Sequence, residues 1–143
     1  MLSVFRTTEH QKRYWKNRQL DWKTSYLDTW THPHRQMIVG ILKTFSWLSL
    51  IEIGCGAGEN LVAIVKSIEG KQVGGIDINA DAIALANKTF QNGIFKVNSA
   101  DDILMSDKST DVCLVDMTYI YVGTLQIGRY LRELKRITRN RVV

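Results

Sequence analysis

The sequence predicts an α/β fold in which helices pack on both faces of a mostly parallel sheet. Short apolar runs alternate along the chain with longer segments of helical periodicity. A glycine-rich turn, "GCGAG", directly follows one of the apolar runs. The 143 residues, of which 45% are hydrophobic and 23% charged, are enough to build one folded domain with a single core.

Residues 1–34 are expected to form a helical extension or lid ahead of the core. Trp15, Trp22 and Tyr26 are separated by seven and four positions, as on one face of a helix. Hydrophobic packing is the favoured role of these aromatic residues, ahead of contact with a substrate. Pro33 suits the first turn of a new helix, and "HRQMIVGILKTF" then places its apolar residues on one side.

The first half of the core reads as strand, helix and strand. The stretch "SLIEIG" predicts a strand because it is short, apolar and followed by the glycine turn. The stretch "ENLVAIVKSIEG" predicts a helix that ends at Gly70. The stretch "KQVGGIDI" predicts the second strand.

The second half continues the alternation. Asn79 can cap a helix that runs through "NADAIALANKTF". The stretches "GIFKVNSA" and "TDVCLVDM" predict the third and fourth strands, and "LQIGRYLRELKRITRN" predicts an amphipathic helix. The chain stops at "RVV", where we expect a fifth strand to begin.

Composition argues against several classes of protein. The chain has no apolar run of 18 residues and no apolar signal core near its start, so we expect no membrane segment and a cytoplasmic location. Cys55 and Cys113 are too few for a disulfide framework and read as buried thiols. His32 and His34 join no cysteine cluster, so we expect no metal site.

The net charge of +5 is unevenly distributed. Residues 1–50 carry 8 Lys and Arg against 3 Asp and Glu, and residues 126–143 carry 6 against 1. Residues 51–125 carry 5 against 10. Basic ends suit an anionic substrate or nucleic acid, but solvated basic faces of helices are the favoured explanation.

The spacing of the glycine loop favours a ligand without phosphate. A dinucleotide loop has the pattern G-x-G-x-x-G, and from Gly54 its third glycine would fall at position 59, which is Glu59. A carboxylate there would repel a phosphate. Gly54, Gly56 and Gly58 still let the backbone approach a ligand closely, and Glu52 supplies negative charge towards a cationic group such as an ammonium or a sulfonium.

A second carboxylate stands at the end of the next predicted strand. Asp77 lies 19 positions past Gly58 and can accept two hydrogen bonds from a ribose diol. Ile78 beside it offers an apolar face to a base. The predicted ligand is therefore a nucleoside joined to an amino acid, and S-adenosylmethionine has those parts.

Over residues 35–143 the sequence resembles the class I S-adenosylmethionine-dependent methyltransferases. "IEIGCGAGENL" is similar to the family's first motif, which implies that Glu52, Gly54, Gly56 and Gly58 line the cofactor. "GGIDINADAIALA" is similar to the second motif, which implies that Asp77 holds the ribose and Ile78 packs on adenine. The resemblance implies a Rossmann-like three-layer sandwich with strand order 3-2-1-4(-5).

The third motif departs from the family. "VNSADDILMSDKSTDVCLV" has Asn98-Ser99-Ala100 where the family usually has Gly-Asp-Ala. Ser99 and Ala100 therefore take the adenine-side positions, and Asp101 or Asp102 could replace the missing carboxylate.

The acceptor side is expected just after the fourth strand, where Asp116, Met117, Thr118, Tyr119 and Tyr121 follow one another. Asp116, Tyr119 and His34 are the candidate catalytic residues, with His34 as a candidate base. "DMTY" stands where nucleic-acid amino methyltransferases carry Asp-Pro-Pro-Tyr, but it lacks both prolines. A small molecule is therefore favoured over nucleic acid as the methyl acceptor.

Family members usually have seven strands, so the resemblance implies a short or truncated member that lacks the last strands. The fourth strand would then lie at or near a sheet edge, and we expect a second copy or another chain to cover it. Two further hypotheses remain open. One is a cofactor-binding module that needs a partner chain for catalysis, and the other, disfavoured by Glu59, is a nicotinamide-dependent oxidoreductase.

Overall fold

The structure, a computed structural model, describes residues 8–143. Five strands form one parallel sheet in the order β3-β2-β1-β4-β5, which confirms the predicted topology. The strands are β1 (Ser49–Ile53), β2 (Gln72–Asp77), β3 (Ile94–Val97), β4 (Thr110–Leu114) and β5 (Thr138–Val142).

Within residues 8–143, six α-helices accompany the strands. They are α1 (Thr8–Lys16), α2 (Trp22–Ser25), α3 (Pro33–Leu42), α4 (Glu59–Ser67), α5 (Ala80–Thr89) and α6 (Ile127–Ile137). Short 3₁₀ turns cover Leu27–Thr29 and Thr118–Tyr121. Pro33 begins α3 and the Asn79 side chain accepts a hydrogen bond from the Ala82 amide to cap α5, as the sequence predicts.

The molecule has three layers, helices on one face, the sheet, and α6 on the other face, and a hydrophobic cluster fills the space between each pair of layers. One cluster joins side chains of α2, α3, α4 and α5 to one face of the sheet. The other packs Tyr130, Leu134 and Ile137 of α6 against the opposite face. Leu50 and Ile51 are neighbours in β1 and belong to different clusters, because successive side chains of a strand point to opposite faces. This arrangement confirms the predicted three-layer sandwich.

The prediction that Trp15, Trp22 and Tyr26 lie on one helix is wrong. α1 ends at Lys16, and the Asp21 side chain accepts a hydrogen bond from the Thr24 amide to start a new helix at Trp22. Asp is a strong N-cap residue, so a local signal interrupts the longer helical periodicity. The three aromatic side chains nevertheless pack against the same core cluster. Residues 1–7 of the predicted extension lie outside the described residues.

The fourth strand lies near a sheet edge, as expected, but it is not itself the edge strand. β4 pairs with β1 on one side and with β5 on the other. The backbone hydrogen bonds extend past β5, since the amide of Val115 donates to the carbonyl of Val143. β5 is therefore the outer strand, and a partner chain at this edge would meet β5 rather than β4.

Candidate functional site

A cavity of about 600 Å³ opens at the carboxyl ends of the strands. Gly54, Ile78, Asn98 and Asp116, which follow β1, β2, β3 and β4, all line it. Ligands of open parallel sheets bind at this end, because the strand order reverses there and leaves a crevice.

The glycine loop forms one wall of the cavity. Gly54 and Gly56 line it with φ of +75° and +54°, which side-chain-bearing residues rarely adopt. The Gly56 amide donates to the Asp77 carboxylate at 2.9 Å, which ties the loop to the end of β2. Gly58 has φ of +92°, caps α4 and faces Phe90, and it is absent from the described residues that line the cavity.

Glu52 is the most deeply buried carboxylate of the cavity wall, with only 2% of its surface exposed. Its Oε1 accepts a hydrogen bond of 2.7 Å from Asn60, whereas its Oε2 is buried and has no partner among the described residues. Burial, followed by the negative charge of Glu59, raises the pKa of Glu52 well above its usual value. An unpartnered carboxylate oxygen in a cavity is suited to a cationic hydrogen-bond donor.

Glu59 brings a second carboxylate to the same wall. Its Oε2 is also buried without a partner among the described residues. Burial raises the pKa of Glu59 to about 7, although Arg35 nearby acts in the opposite direction. Glu59 replaces the third glycine of a dinucleotide loop and lines the cavity, as expected for a site that does not bind phosphate.

Asp77 and Ile78 line the cavity at the end of β2. Asp77 accepts hydrogen bonds from the backbone amides of Gly56 and Asn79, the latter at 2.8 Å. Burial raises the pKa of Asp77, and these amide hydrogen bonds partly oppose the effect. The carboxylate is thus fixed in orientation by backbone groups.

Ser99, Ala100 and Asp101 form the next part of the wall. The Ser99 hydroxyl donates to Asp101, and Lys12 of α1 forms an ion pair of 2.9 Å with the same carboxylate. Burial disfavours the charged form, but the hydrogen bonds from Ser99 and Lys12 outweigh it, so the pKa of Asp101 lies below its ordinary value. Asp102, the alternative, is exposed, so Asp101 is the carboxylate that the structure brings to the cavity.

On the opposite side, the structure brings His34 and Asp116 together. Nε2 of His34 lies 2.9 Å and 3.0 Å from the two oxygens of Asp116. Asp116 Oδ2 also accepts a hydrogen bond of 3.0 Å from Asn60. His34 comes from the first turn of α3 and Asp116 from the loop after β4, 82 positions apart.

The loop after β4 has an unusual backbone conformation. Met117 has φ of +63°, in the left-handed region, and lines the cavity. Thr118 donates its hydroxyl to the Ile53 carbonyl at 2.8 Å and so fastens this loop to β1. Tyr121 lines the cavity, whereas Tyr119 is 56% exposed and is not among the described lining residues. Of the three candidate catalytic residues, the structure brings His34 and Asp116 to the cavity and leaves Tyr119 at the surface.

The N-terminal segment supplies the remaining wall. Gln11, Lys12, Trp15, Trp22 and Tyr26 line the cavity, and the three aromatic side chains also pack on the core. The aromatic residues therefore do more than the packing favoured from the sequence, because they also face the space available to a ligand.

Sequence reasoning missed Asn60, Gln11 and Lys12. Asn60 follows Glu59 within the glycine motif, and a polar residue in an otherwise apolar helical run was its only signal. Gln11 and Lys12 carry no local signal, since their places in the wall depend on how α1 packs against residues far away in the chain.

The cavity can be tested for its fit to an adenosyl amino acid. Left-handed glycines bring bare backbone to its wall, and two of the lining residues, Glu52 and Glu59, each have one buried carboxylate oxygen without a partner among the described residues. Five carboxylates and two cationic side chains are among its described lining residues, so the wall carries net negative charge. These features fit a ligand with an ammonium and a sulfonium group.

No helix in residues 8–143 is long and apolar enough to cross a bilayer. The same residues contain no group of three or more His, Cys, Asp or Glu side chains placed to hold a metal ion.

Comparisons with solved structures show the same fold in other proteins. A protein from Pyrococcus horikoshii OT3 superposes with a TM-score of 0.68 at 20% identity, with 82% of this chain and 60% of that one covered. Magnesium protoporphyrin IX methyltransferase from Synechocystis PCC 6803, solved with bound S-adenosylmethionine, gives 0.70 at 13% identity, with 99% and 76% covered. The sugar N-methyltransferase from Streptoalloteichus sp. ATCC 53650 gives 0.62 at 18% identity, with 76% and 44% covered.

The chain thus spans less than two thirds of the length of the Pyrococcus and Streptoalloteichus proteins. No curated protein matches it at the level of sequence. A family model described as a methyltransferase domain, however, matches residues 50–141, which include β2, β3 and β4 and all but the outermost residue of β1 and of β5. Together with the fold, this match supports S-adenosylmethionine as the cofactor of the cavity and confirms the resemblance stated from the motifs. The chain belongs to the methyltransferase-domain family.

Proposed function

We propose that this protein transfers a methyl group from S-adenosylmethionine to a small-molecule acceptor. The observation that carries the proposal is the buried Glu52 carboxylate, whose Oε2 has no partner among the described residues, in a cavity walled by the glycine loop. When bound, the cofactor supplies a methyl group on a positively charged sulfur, so the protein mainly has to align the acceptor and exclude water.

The cofactor side is assigned to residues of β1, β2 and the loop after β3. We assign Glu52 and the backbone of Gly54 and Gly56 to the amino-acid end. Asp77 would hold the ribose, and Ile78 would pack on adenine. The adenine side would be completed by Ser99, Ala100 and Asp101. Gly58 acts indirectly in this proposal, by allowing α4 to begin close to the loop.

The charge of the wall supports this cofactor over a nicotinamide dinucleotide. Lys12 is already paired with Asp101, and the charge of Arg35, the other cation among the described lining residues, acts on Glu59. A pyrophosphate would have to approach Glu52 and Glu59, whose buried carboxylates give it no hydrogen-bond donor and repel it when they are ionised.

The acceptor side is assigned to His34 and Asp116. Asp116 lies within hydrogen-bonding distance of Nε2, at 2.9 Å, and so orients the imidazole for proton transfer. Asp116 acts through His34 in this proposal, and exposed Tyr119 has no assigned part in the chemistry.

The backbone conformation at Met117 favours a small molecule over nucleic acid as the methyl acceptor. Proline fixes φ near −65°, so a residue with φ of +63° at Met117 cannot be replaced by the proline of an Asp-Pro-Pro-Tyr motif in the same conformation. Two of the structural neighbours are methyltransferases of a porphyrin and of a sugar, which agrees with a small acceptor.

Isothermal titration tests the cofactor. We expect S-adenosylhomocysteine to bind and NAD to give no heat of binding. Asp77→Asn should weaken the binding of S-adenosylhomocysteine at least tenfold, because one acceptor of a diol hydrogen bond is replaced by a donor. Binding of NAD without S-adenosylhomocysteine would refute the proposal. Acceptor pools incubated with methyl-labelled cofactor would then identify the substrate.

A cofactor-binding module that acts with a partner chain is the second candidate. β5 is the outer strand of the sheet and offers an edge to which another chain could add a strand. Methyl transfer by the isolated chain, monomeric in light scattering, would exclude this candidate. For either candidate we propose a cytoplasmic location, which the two free, buried cysteines support.

A further inference from the structure

Asn60 connects the two sides of the cavity. Its side chain belongs to the first turn of α4 and is almost fully buried, with 5% exposed. Its Nδ2 donates to Glu52 Oε1 at 2.7 Å and to Asp116 Oδ2 at 3.0 Å. A side-chain amide nitrogen has two hydrogens, so both donors are used, one on each side of the site.

The two carboxylates fix the orientation of the amide. The nitrogen contacts a carboxylate oxygen of Glu52 and one of Asp116, and the opposite orientation would place the amide oxygen against these two oxygens. Asn60 therefore supports Asp116 from one side while His34 contacts it from the other, at 2.9 Å and 3.0 Å. Glu52, Asn60, Asp116 and His34 form one chain of hydrogen bonds across β1, α4, the loop after β4 and α3.

We propose that Asn60 is a positioning residue that, through Asp116, holds His34 as the Nε2–H tautomer and leaves Nδ1 as the proton acceptor. The inference rests on the proposed methyl transfer and narrows its substrate class to acceptors with a hydroxyl or ammonium group. The proton of the acceptor's O–H or N–H bond passes to Nδ1. The electron pair of that bond stays on the acceptor oxygen or nitrogen, which becomes the nucleophile.

The amide also separates two carboxylates that would otherwise repel each other. Glu52 feels the charge of Asp116, which adds to the increase in its pKa. A neutral donor between them stabilises both charges, whereas a carboxylate at this position would oppose both. Aspartate has almost the same shape as asparagine, so the effect of Asn60→Asp on the site should come from its charge. We expect this substitution to impair the site more than the small change in shape would.

The test begins with the tautomer of His34 in the protein without ligand. Two-bond ¹H–¹⁵N spectra of ¹⁵N-histidine protein, recorded where the imidazole is neutral, distinguish Nε2–H from Nδ1–H, and His34→Gln assigns the signal. We expect wild type to show Nε2–H alone and Asn60→Ala to show both forms. Asn87→Ala is the control, because Asn87 also donates from Nδ2 to two oxygens, the carbonyls of Ile83 and Phe95, outside the cavity.

Kinetics with an identified acceptor give the second measurement. We expect Asn60→Ala to lower kcat by about tenfold to a hundredfold with the acceptor KM changed less than about threefold, and Asn60→Asp to lower kcat further. Asn87→Ala should keep the wild-type kcat. If wild type transfers no methyl group, the proposed function fails, while the tautomer measurement still decides the role of Asn60.

Two results would overturn the inference. One is an Asn60→Ala spectrum identical to that of wild type, with His34 still wholly Nε2–H. The other is a wild-type spectrum that shows Nδ1–H, which decides the question even if the variants fail to fold.

Discussion

At Gly54 the close approach of two loops requires the absence of a side chain. A Cβ at this position would lie 2.1 Å from the Thr118 hydroxyl oxygen, which is engaged with the Ile53 carbonyl. The φ of +75° adds a further penalty for any residue with a side chain. The glycine therefore permits both the turn and the docking of the loop that carries Asp116.

We predict that Gly54→Ala lowers the free energy of unfolding by about 2–3 kcal/mol, the sum of left-handed strain and a lost hydrogen bond. Gly40→Ala is the matched control, since Gly40 lies in α3 with nothing within 4 Å of its Cβ position. Alanine is the better helix former, so the control should be more stable by about 0.5–1 kcal/mol. Urea unfolding measures both, and equal effects of the two substitutions would contradict the account of Gly54.

Glu59 makes stability depend on pH. Its pKa is about 7 in the folded protein against 4.5 for an ordinary glutamate. Between these values the folded chain binds more protons than the unfolded chain, so the free energy of unfolding falls as pH rises from about 4.5 to 7. The shift corresponds to about 3 kcal/mol, all of it lost above pH 7.

Glu59→Gln should remove this loss. The free energy of unfolding of the variant minus that of wild type should therefore increase by about 3 kcal/mol as pH rises from 4.5 to 8. Urea unfolding of both proteins across this range measures the difference. Parallel stability curves for the two proteins would show that Glu59 does not titrate as its burial requires.

At the scale of elements, Asn79 joins α1 to the core. Its Oδ1 caps α5 at the Ala82 amide, and its Nδ2 donates to the carbonyls of Trp15 and Arg18 at 2.8 Å and 2.9 Å. The side chain is 1% exposed, so none of these partners can be replaced easily by water.

Two substitutions separate the roles of Asn79. Asn79→Asp keeps the cap but loses both donors, so we predict faster hydrogen exchange in residues 8–18 with α5 protected as in wild type. Asn79→Ala loses both functions and should lower the free energy of unfolding by about 2–4 kcal/mol. Hydrogen exchange by mass spectrometry resolves the two segments, and equal exchange of α1 in Asn79→Asp and wild type would argue against the anchor.

The elements that sequence predicted well are those with strong local patterns. An apolar run is enough to predict β1 and β4, and Asn79 is enough to predict the start of α5, because these signals lie in neighbouring residues of the sequence. β5 was harder, since "TRNRV" has neither an apolar run nor a regular alternation, and it forms because β4 offers an edge. The pairing of Asn60 with Glu52 and Asp116 needs contacts 8 and 56 positions apart in the chain, which no local pattern contains.

For the whole molecule, the edge of the sheet at β5 carries two positively charged side chains. Arg139 pairs with Asp111 and Arg141 lies over the Phe45 ring, so both cations are held along β5. Charged residues on an edge strand oppose the addition of a strand from a second copy of the chain, because that strand carries the same charges.

Arg139→Val combined with Arg141→Val should therefore increase self-association. Light scattering at matched concentration should give a higher average mass for this variant than for wild type. Arg129→Ala with Arg132→Ala is the control, because it removes two positive charges from exposed positions of α6 and leaves β5 unchanged. An average mass equal to that of wild type in both variants would show that Arg139 and Arg141 do not prevent self-association through β5.

The two sides of the cavity come from separate stretches of sequence. Residues 52–101 supply the wall assigned to the donor, whereas His34 and the loop at 116–122 supply the opposite wall. Directed evolution for new acceptors can therefore vary His32, Tyr121 and Val122, which line the cavity, as a small library, while Thr118 stays fixed because its hydroxyl is bonded to the Ile53 carbonyl of the donor wall. Asn60 should be kept in such a library. It donates hydrogen bonds to both walls, so a substitution there would change the donor side and the acceptor side together.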